Sequence, residues 1–305
     1  MRNIYDVLKA EIHCNRFVLN DAVCVEYVCP IENEHLGIYA HSDYIIHVLS
    51  GKKTWRTLHG EWVMETGQTL YAKKGAAILT QSFDEEICML IFFLDDDLIR
   101  ESLRDMLPSS LADKELDVHR FSVAKLESKG YLSDFFGSML GYFRGKDQPP
   151  EPLIRLKLKE LLANLVYHGE NHLLKAYLHS VTRNSEPSLT HIMENNFCYN
   201  LSLEEFARLT HRSLSKFKRD FFNHYQANPG KWLLQKRLAH AASMMNDTAK
   251  NISEIAFESG FESVSHFSRA FKEQFEVAPL AFRKAAGVAG RLRPAGVGTA
   301  ETLAR

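Results

Sequence analysis

The 305-residue sequence is short of the features that build secreted, membrane-spanning or zinc-folded proteins. Its five cysteines, Cys14, Cys24, Cys29, Cys88 and Cys198, are odd in number and contain no C-x-x-C pair, which argues against a disulfide framework and a structural zinc site. They read as buried thiols. No run of 18 or more uncharged apolar residues occurs, and "MRNIYDVLKAEIHC" lacks the apolar core and cleavage site of a signal peptide. The expected location is the cytoplasm, with no membrane partner. Net charge is small too, at a formal −1, but the charges are unevenly spread. Residues 1–187 carry 21 Lys and Arg against 27 Asp and Glu, residues 188–283 carry 12 against 10, and residues 284–305 carry 4 against 1. A polyanion is expected to be handled at the C-terminal end.

What is present divides into two textures. From Tyr27 to Leu94, short β-favouring runs such as "DYIIHVLS", "EWVMET" and "ICMLIFFL" are punctuated by Gly51, Gly60, Gly67 and Gly75, the rhythm of an antiparallel barrel or sandwich. Helical periodicity follows in "DDDLIRESLRDML", "SVAKLESKGYLSDFFGSMLGYF" and "PLIRLKLKELLANLVYH". In the last, Ile154, Leu158, Leu161 and Leu165 follow a 4-3-4 spacing, which fits a seam between two chains or a face that covers the barrel. "HSVTRNSEPS" is polar and aperiodic, and marks a domain junction. After Arg283 the chain turns rich in Gly and Ala and has no aromatic residue, so residues 284–305 are expected to be a disordered tail.

The C-terminal third repeats itself. "SLSKFKRDFFNHY" (213–225) aligns with "SVSHFSRAFKEQF" (263–275) at an offset of 50, and "SLEEFARL" aligns with "NISEIAFES" at 49. Ser202 with Glu205, and Asn251 with Glu254, are capping boxes that open a short helix, and Ser213 and Ser263 can cap the longer helix after it. Ala207 and Ala256 let the two helices of each pair cross closely. The pattern is a helix-turn-helix present twice. "NPGKWLLQKRLAHAASMM", with Pro229 at its first helical position, is the expected linker helix between them.

Two reading helices held apart suit successive major-groove faces of double-stranded DNA. Phe217, Phe221, Phe267 and Phe271 must face their own cores, leaving Ser215, Lys216, Lys218 and Arg219 on the first reading helix, and Val264, Ser265, His266, Ser268 and Arg269 on the second, as candidates for base edges. Arg fits guanine O6/N7 bidentately, Ser and His can bond base edges, and Val264 can pack on a thymine methyl. Lys231, Lys236 and Arg237 are candidate phosphate contacts.

The run "ISEIAFESGFESVSHFSRAFKEQFEVAPLAFRK" closely resembles the C-terminal signature of the AraC/XylS family of bacterial transcription regulators, and the likeness covers residues 189–283. It implies an α+β chain: a cupin-like antiparallel β-barrel sensor domain over 1–105, a helical dimerisation region over 106–182, a linker over 183–188, and an all-α DNA-binding domain of two helix-turn-helix units over 189–283. It also implies promoter DNA and RNA polymerase as partners, a homodimer, and activation of transcription. The family's reading positions fall on Ser215, Lys218, Arg219, Val264, Ser265, His266, Ser268 and Arg269. His211 and Gln226 depart from the pattern, standing where the family commonly has Gly, at positions suited to φ > 0.

In the β-rich half, Tyr44, Ile46, Trp55, Trp62 and Tyr71 are candidate linings of a ligand pocket, with a filled core as the other reading. His41 and His47 lie about 20 Å apart on one extended strand, too far to share an ion, and His35, His41 and His59 would need the fold to converge them. Two alternatives to a ligand-modulated regulator remain open: a cupin-type metalloenzyme carrying a DNA-binding module, and a regulator controlled only by protein partners. The effector stays unnamed.

Overall fold

A computed structural model of the chain describes residues 1–11, 14–29, 35–81, 86–107, 121–126, 130–168, 171–183, 186–247 and 250–291. They form two compact units: residues 1–196 with 201–224, and residues 197–200 with 225 onward. The first helix-turn-helix therefore belongs to the first unit, whereas the sequence grouped both copies in one domain over 189–283. Part of the expected 183–188 linker, residues 184–185, lies outside the described residues.

The first unit opens with β1 (Arg2–Asn3) and α1 (Ile4–Ala10), where the Asn3 side chain accepts from the amides of Tyr5 and Asp6. Then come β2 (Asn15–Val18), β3 (Ala22–Cys29), β4 (His35–Ala40), β5 (Asp43–Ser50), β6 (Lys52–Thr57), β7 (Gly60–Glu65), β8 (Thr69–Ala72), β9 (Gly75–Gln81) and β10 (Ile87–Leu94). After α2 (Asp96–Leu103) and β11 (Val123–Leu126) follow α3 (Tyr131–Arg144), α4 (Glu151–Tyr167) and α5 (His172–Arg183). The strands make two sheets, ordered β1-β4-β9-β6-β7 and β11-β8-β5-β10-β3-β2. All pairings are antiparallel except β1 with β4. The sheets form a cupin-like pair and do not close into a barrel.

Strand periodicity explains the core. On β10, Leu90, Phe92 and Leu94 point into one cluster with α2 to α5, while Met89, Ile91 and Phe93 point into the space shared with the other sheet. A strand buried on both faces must be apolar throughout, which is why "ICMLIFFL" shows no alternation. Val123–Leu126, expected as the start of a helix, pairs instead with β8. Ile154, Leu158, Leu161 and Leu165 of α4 are at most 1% exposed and lie in the helical cluster under the six-stranded sheet. That face covers the sheet, and the dimer seam placed on it has no side chain left to offer.

Burial also tunes two histidines. His47 stacks on Phe136 at 4.0 Å, with Nδ1 2.9 Å from the Thr69 hydroxyl, and burial pushes its pKa down to about 4. His41 falls to about 4 as well, by burial first and then by the charge of Arg208. Between pH 4 and 6.5 the unfolded chain binds more protons than the folded one, so stability is present above pH 6.5 and is lost as pH falls towards 4. The urea midpoint should drop between pH 7 and pH 5, with about 1–2 kcal/mol lost per histidine after allowing for solvent screening. His47→Asn should flatten that slope by about half; a slope unchanged by the substitution would assign the pH dependence elsewhere.

The remaining helices of the first unit are α6 (Leu189–Asn196), α7 (Leu203–Leu209) and α8 (Leu214–Tyr225). The second unit holds α9 (Pro229–Asp247), α10 (Ile252–Glu258), α11 (Val264–Phe275) and α12 (Pro279–Arg291). The expected tail is thus helical as far as Arg291, and residues 292–305 lie outside the described residues. No helix among the described residues is long and apolar enough to cross a membrane.

Candidate nucleic-acid interface

Both helix-turn-helix units form from the local signals. Ser202 accepts from the Glu205 amide and Glu205 reaches back to the Ser202 amide at 2.7 Å; Asn251 and Glu254 repeat the box with bonds of 2.9 and 2.7 Å. Ser213 and Ser263 accept from the Lys216 and His266 amides at 3.3 and 3.2 Å, starting α8 and α11. Ala207 and Ala256 are buried at the crossings, and Phe217, Phe221, Phe267 and Phe271 are fully buried.

The turns match bond for bond. The Arg212 amide donates to the Ala207 carbonyl at 2.9 Å, and its counterpart, the Phe261 amide, donates to Ala256 at 3.1 Å. Between them sit His211 at φ 53° and Gly260 at φ 87°. Gln226 after α8 and Glu276 after α11 are left-handed too, at 50° and 63°. Three non-glycine residues hold a conformation that L side chains rarely adopt, each next to a helix end where it redirects the chain.

The aromatic faces turn inward, so the opposite faces are free. Ser215, Lys218 and Arg219 are exposed on α8, and Ser265, His266 and Arg269 are exposed on α11. Ser268 is half-buried. Val264 is also half-buried and packs against its own unit's core, so it has less to give a thymine methyl than the sequence suggested. Lys216 is held by Glu186, which also meets Arg212 at 3.0 Å, and is a structural contact.

Of the expected phosphate contacts, Lys231 is exposed at the start of α9. Lys236 sits 5.4 Å from the Trp232 ring centre and 5.9 Å from that of Phe197, an amphipathic side chain lying along aromatic surface. Arg237 is not a phosphate contact. Its Nε donates to the Phe197 carbonyl and its Nη2 to the Tyr199 carbonyl, both at 2.7 Å, so it clamps residues 197–199 within its own unit. Periodicity alone had no means of finding carbonyls about 40 residues away.

The β-rich half was given a pocket from Tyr44, Ile46, Trp55, Trp62 and Tyr71. Tyr44, Ile46 and Trp55 do line a cavity between the sheets, but it measures only about 40 Å³. Trp62 packs half-buried beside it, and Tyr71 points the other way, into the helical cluster, with its hydroxyl on Asp43 at 2.6 Å. The histidines do not converge: His35 pairs with Thr80, His41 with Asn3, and His59 with Asn195. Among the described residues no group of three or more His, Cys, Asp or Glu is placed to hold a metal ion.

Comparison with known proteins agrees with this geometry. Residues 43–177 match the family described as ExsA N-terminal regulatory domain, and residues 206–285 match a helix-turn-helix domain family. The chain is 24% identical over 268 residues to the virulence regulon transcriptional activator VirF of Yersinia enterocolitica and to the thermoregulatory protein LcrF of Yersinia pestis, covering 85% of this chain and 94% of each relative. It is 27% identical over 135 residues to the HTH-type transcriptional regulator ExsA of Pseudomonas aeruginosa, 44% of this chain and 49% of that one. A crystal structure of ToxT from Vibrio cholerae aligns over 87% of this chain and 98% of its own at 15% identity, with a TM-score of 0.44. With its ExsA-type regulatory domain and its AraC-type helix-turn-helix domain, the chain is a homologue of the AraC-family regulators VirF, LcrF and ExsA.

Proposed function

We propose that the protein is a sequence-specific transcription activator that binds promoter DNA with α8 and α11 in two major-groove segments, acts as a homodimer, and engages RNA polymerase. The observation that carries the DNA reading is the exposed pair Arg219 and Arg269, at matched positions of two capped, repeated helices whose opposite faces are fully buried. Relatives named as activators and regulators supply the direction of control. The interior of the sheets has room for about one water, which favours a regulator that takes no ligand between them.

The test is a set of duplexes selected from a random pool by the full-length protein. Arg269→Ala should lose about 1–3 kcal/mol, roughly 5- to 150-fold, on the selected site, and should relax preference at one base. Lys231→Ala should weaken binding to all sequences alike and reduce the salt slope by about one. An Arg269→Ala protein with unchanged affinity and preference would remove α11 from the groove.

A further inference from the structure

α8 carries a large apolar side chain on its exposed face. Phe222 is 54% exposed, whereas Phe217 and Phe221 on the same helix are fully buried. At about 100° per residue, seven positions bring Phe222 to within about 20° of Ser215 around the helix axis, between Lys218 and Arg219. It therefore continues the stripe of Ser215, Lys218 and Arg219 by one turn, and all four side chains are exposed.

The repeat supplies a comparison for this position. At the offset of 50, the counterparts of Ser215, Arg219 and Phe222 are Ser265, Arg269 and Lys272, and Lys272 is exposed on α11. Ser and Arg are kept in both copies, and the last position changes from a cation to an aromatic ring. A surface that only has to be wet is served by the lysine. An exposed ring contributes nothing to the stability of its own unit and is stabilising only when apolar surface covers it. Its neighbours Lys218 and Arg219 suit a polyanion, and in the major groove of a duplex the prominent apolar group is the C5-methyl of thymine, on which a phenylalanine can pack.

The structure assigns Phe222 as a further base-reading residue of α8, one that recognises a thymine methyl; the assignment rests on the DNA reading of α8 proposed above. Three residues at about 1.5 Å each put Phe222 about 4.5 Å beyond Arg219 along the helix, so the thymine should lie roughly one or two base pairs from the base that Arg219 reads. Lys272 offers a charge and no ring at the matching place, so the block read by α11 should show no such methyl dependence.

The test uses the full-length protein and a duplex that it selects from a random pool. The block read by α8 is the one in which Arg219→Ala relaxes base preference. Each thymine of that block is replaced in turn by deoxyuridine, which removes the methyl and keeps every hydrogen-bonding group. At one thymine, wild-type affinity should fall about fourfold, the worth of one buried methyl group. Phe222→Ala should weaken binding to the unmodified duplex by at least that factor and should bind the deoxyuridine duplex equally well. Phe222→Lys, which copies α11, should also lose the methyl dependence, and should raise the salt slope by about one. Both variants should keep the thermal midpoint of the wild type, since the ring is exposed. A duplex that Arg219→Ala binds more weakly, but in which no thymine of the block responds to deoxyuridine, would overturn the assignment and leave the DNA reading standing. A deoxyuridine penalty that persists undiminished in Phe222→Ala would do the same. If no duplex were selected, or if Arg219→Ala and Arg269→Ala both bound as the wild type does, the DNA reading itself would fall and the assignment with it.

Discussion

Gly260→Ala should cost the second unit about 3 kcal/mol or more and erase one of the two sequence blocks the protein selects from a DNA pool. Two effects add. At φ 87° an alanine is strained by about 1–2 kcal/mol. Its Cβ would also stand 2.7 Å from the Cys198 carbonyl oxygen, 2.9 Å from the Cys198 carbonyl carbon and 2.9 Å from Nε of Arg237. None of these is the loose end of a flexible side chain. The first two are backbone, and the Arg237 guanidinium is fixed by the Phe197 and Tyr199 carbonyls. The turn must move, and with it Phe261 and Phe267, which pack in the same cluster. Urea unfolding and DNA selection on one variant protein would measure both consequences. A contrasting substitution separates strain from collision: Glu276 is exposed at φ 63°, so Glu276→Gly should gain about 0.5 kcal/mol, strain relief of about 1–2 kcal/mol offset by the extra freedom of the unfolded chain. If Gly260→Ala cost no more than 1 kcal/mol, the close approach to Cys198 would not be a constraint on this turn.

The same positions show what a sequence can and cannot disclose. His211 and Gln226 stand where the family pattern expects Gly, and both are left-handed. Glu276 lies 50 residues after Gln226, so the repeat itself pointed to a third such residue that sequence reading passed over. The capping boxes were legible because a cap is made within four residues. Arg237, by contrast, was misread because its partners are carbonyls about 40 residues upstream, and the face of a helix that looks polar by spacing need not be wet. "VAKL" was misread for a related reason. Four residues fit a helix or a strand equally, and pairing with β8 decided between them. The placement of the first helix-turn-helix with the N-terminal sheets was the least legible feature. It depends on side chains such as Arg208 of α7, whose guanidinium donates to both carboxylate oxygens of Asp6 at 2.6 and 2.8 Å across 202 positions. No local pattern encodes a bond of that span.

Asp43→Ala is expected to destabilise the first unit by about 3–5 kcal/mol, and the reason is a count of acceptors more than of charges. Asp43 is fully buried at the start of β5. Its Oδ2 accepts from the Tyr71 hydroxyl at 2.6 Å and the Tyr177 hydroxyl at 2.8 Å, and its Oδ1 accepts from the Lys74 amide at 2.9 Å. Three elements, β8, the turn after it and α5, are thereby tied to one carboxylate. Burial first, and then the Asp43 charge, hold both phenols well above their ordinary pKa, so they stay donors. Alanine would leave three buried donors unsatisfied, at about 1–3 kcal/mol each before relaxation. Lys74 would not be stranded, because it keeps Asp96. Asparagine should be milder, at about 2–4 kcal/mol: its oxygen can still accept from the Lys74 amide, but its NH2 can only donate to the phenol oxygens, so both hydroxyl protons still lose their acceptor. Tyr177→Phe, which removes one donor together with its need, should cost about 1 kcal/mol. Thermal unfolding of the three variants would rank them Ala, Asn, Phe from worst to mildest. If asparagine proved as damaging as alanine, the negative charge beside Lys74 would be what holds this junction.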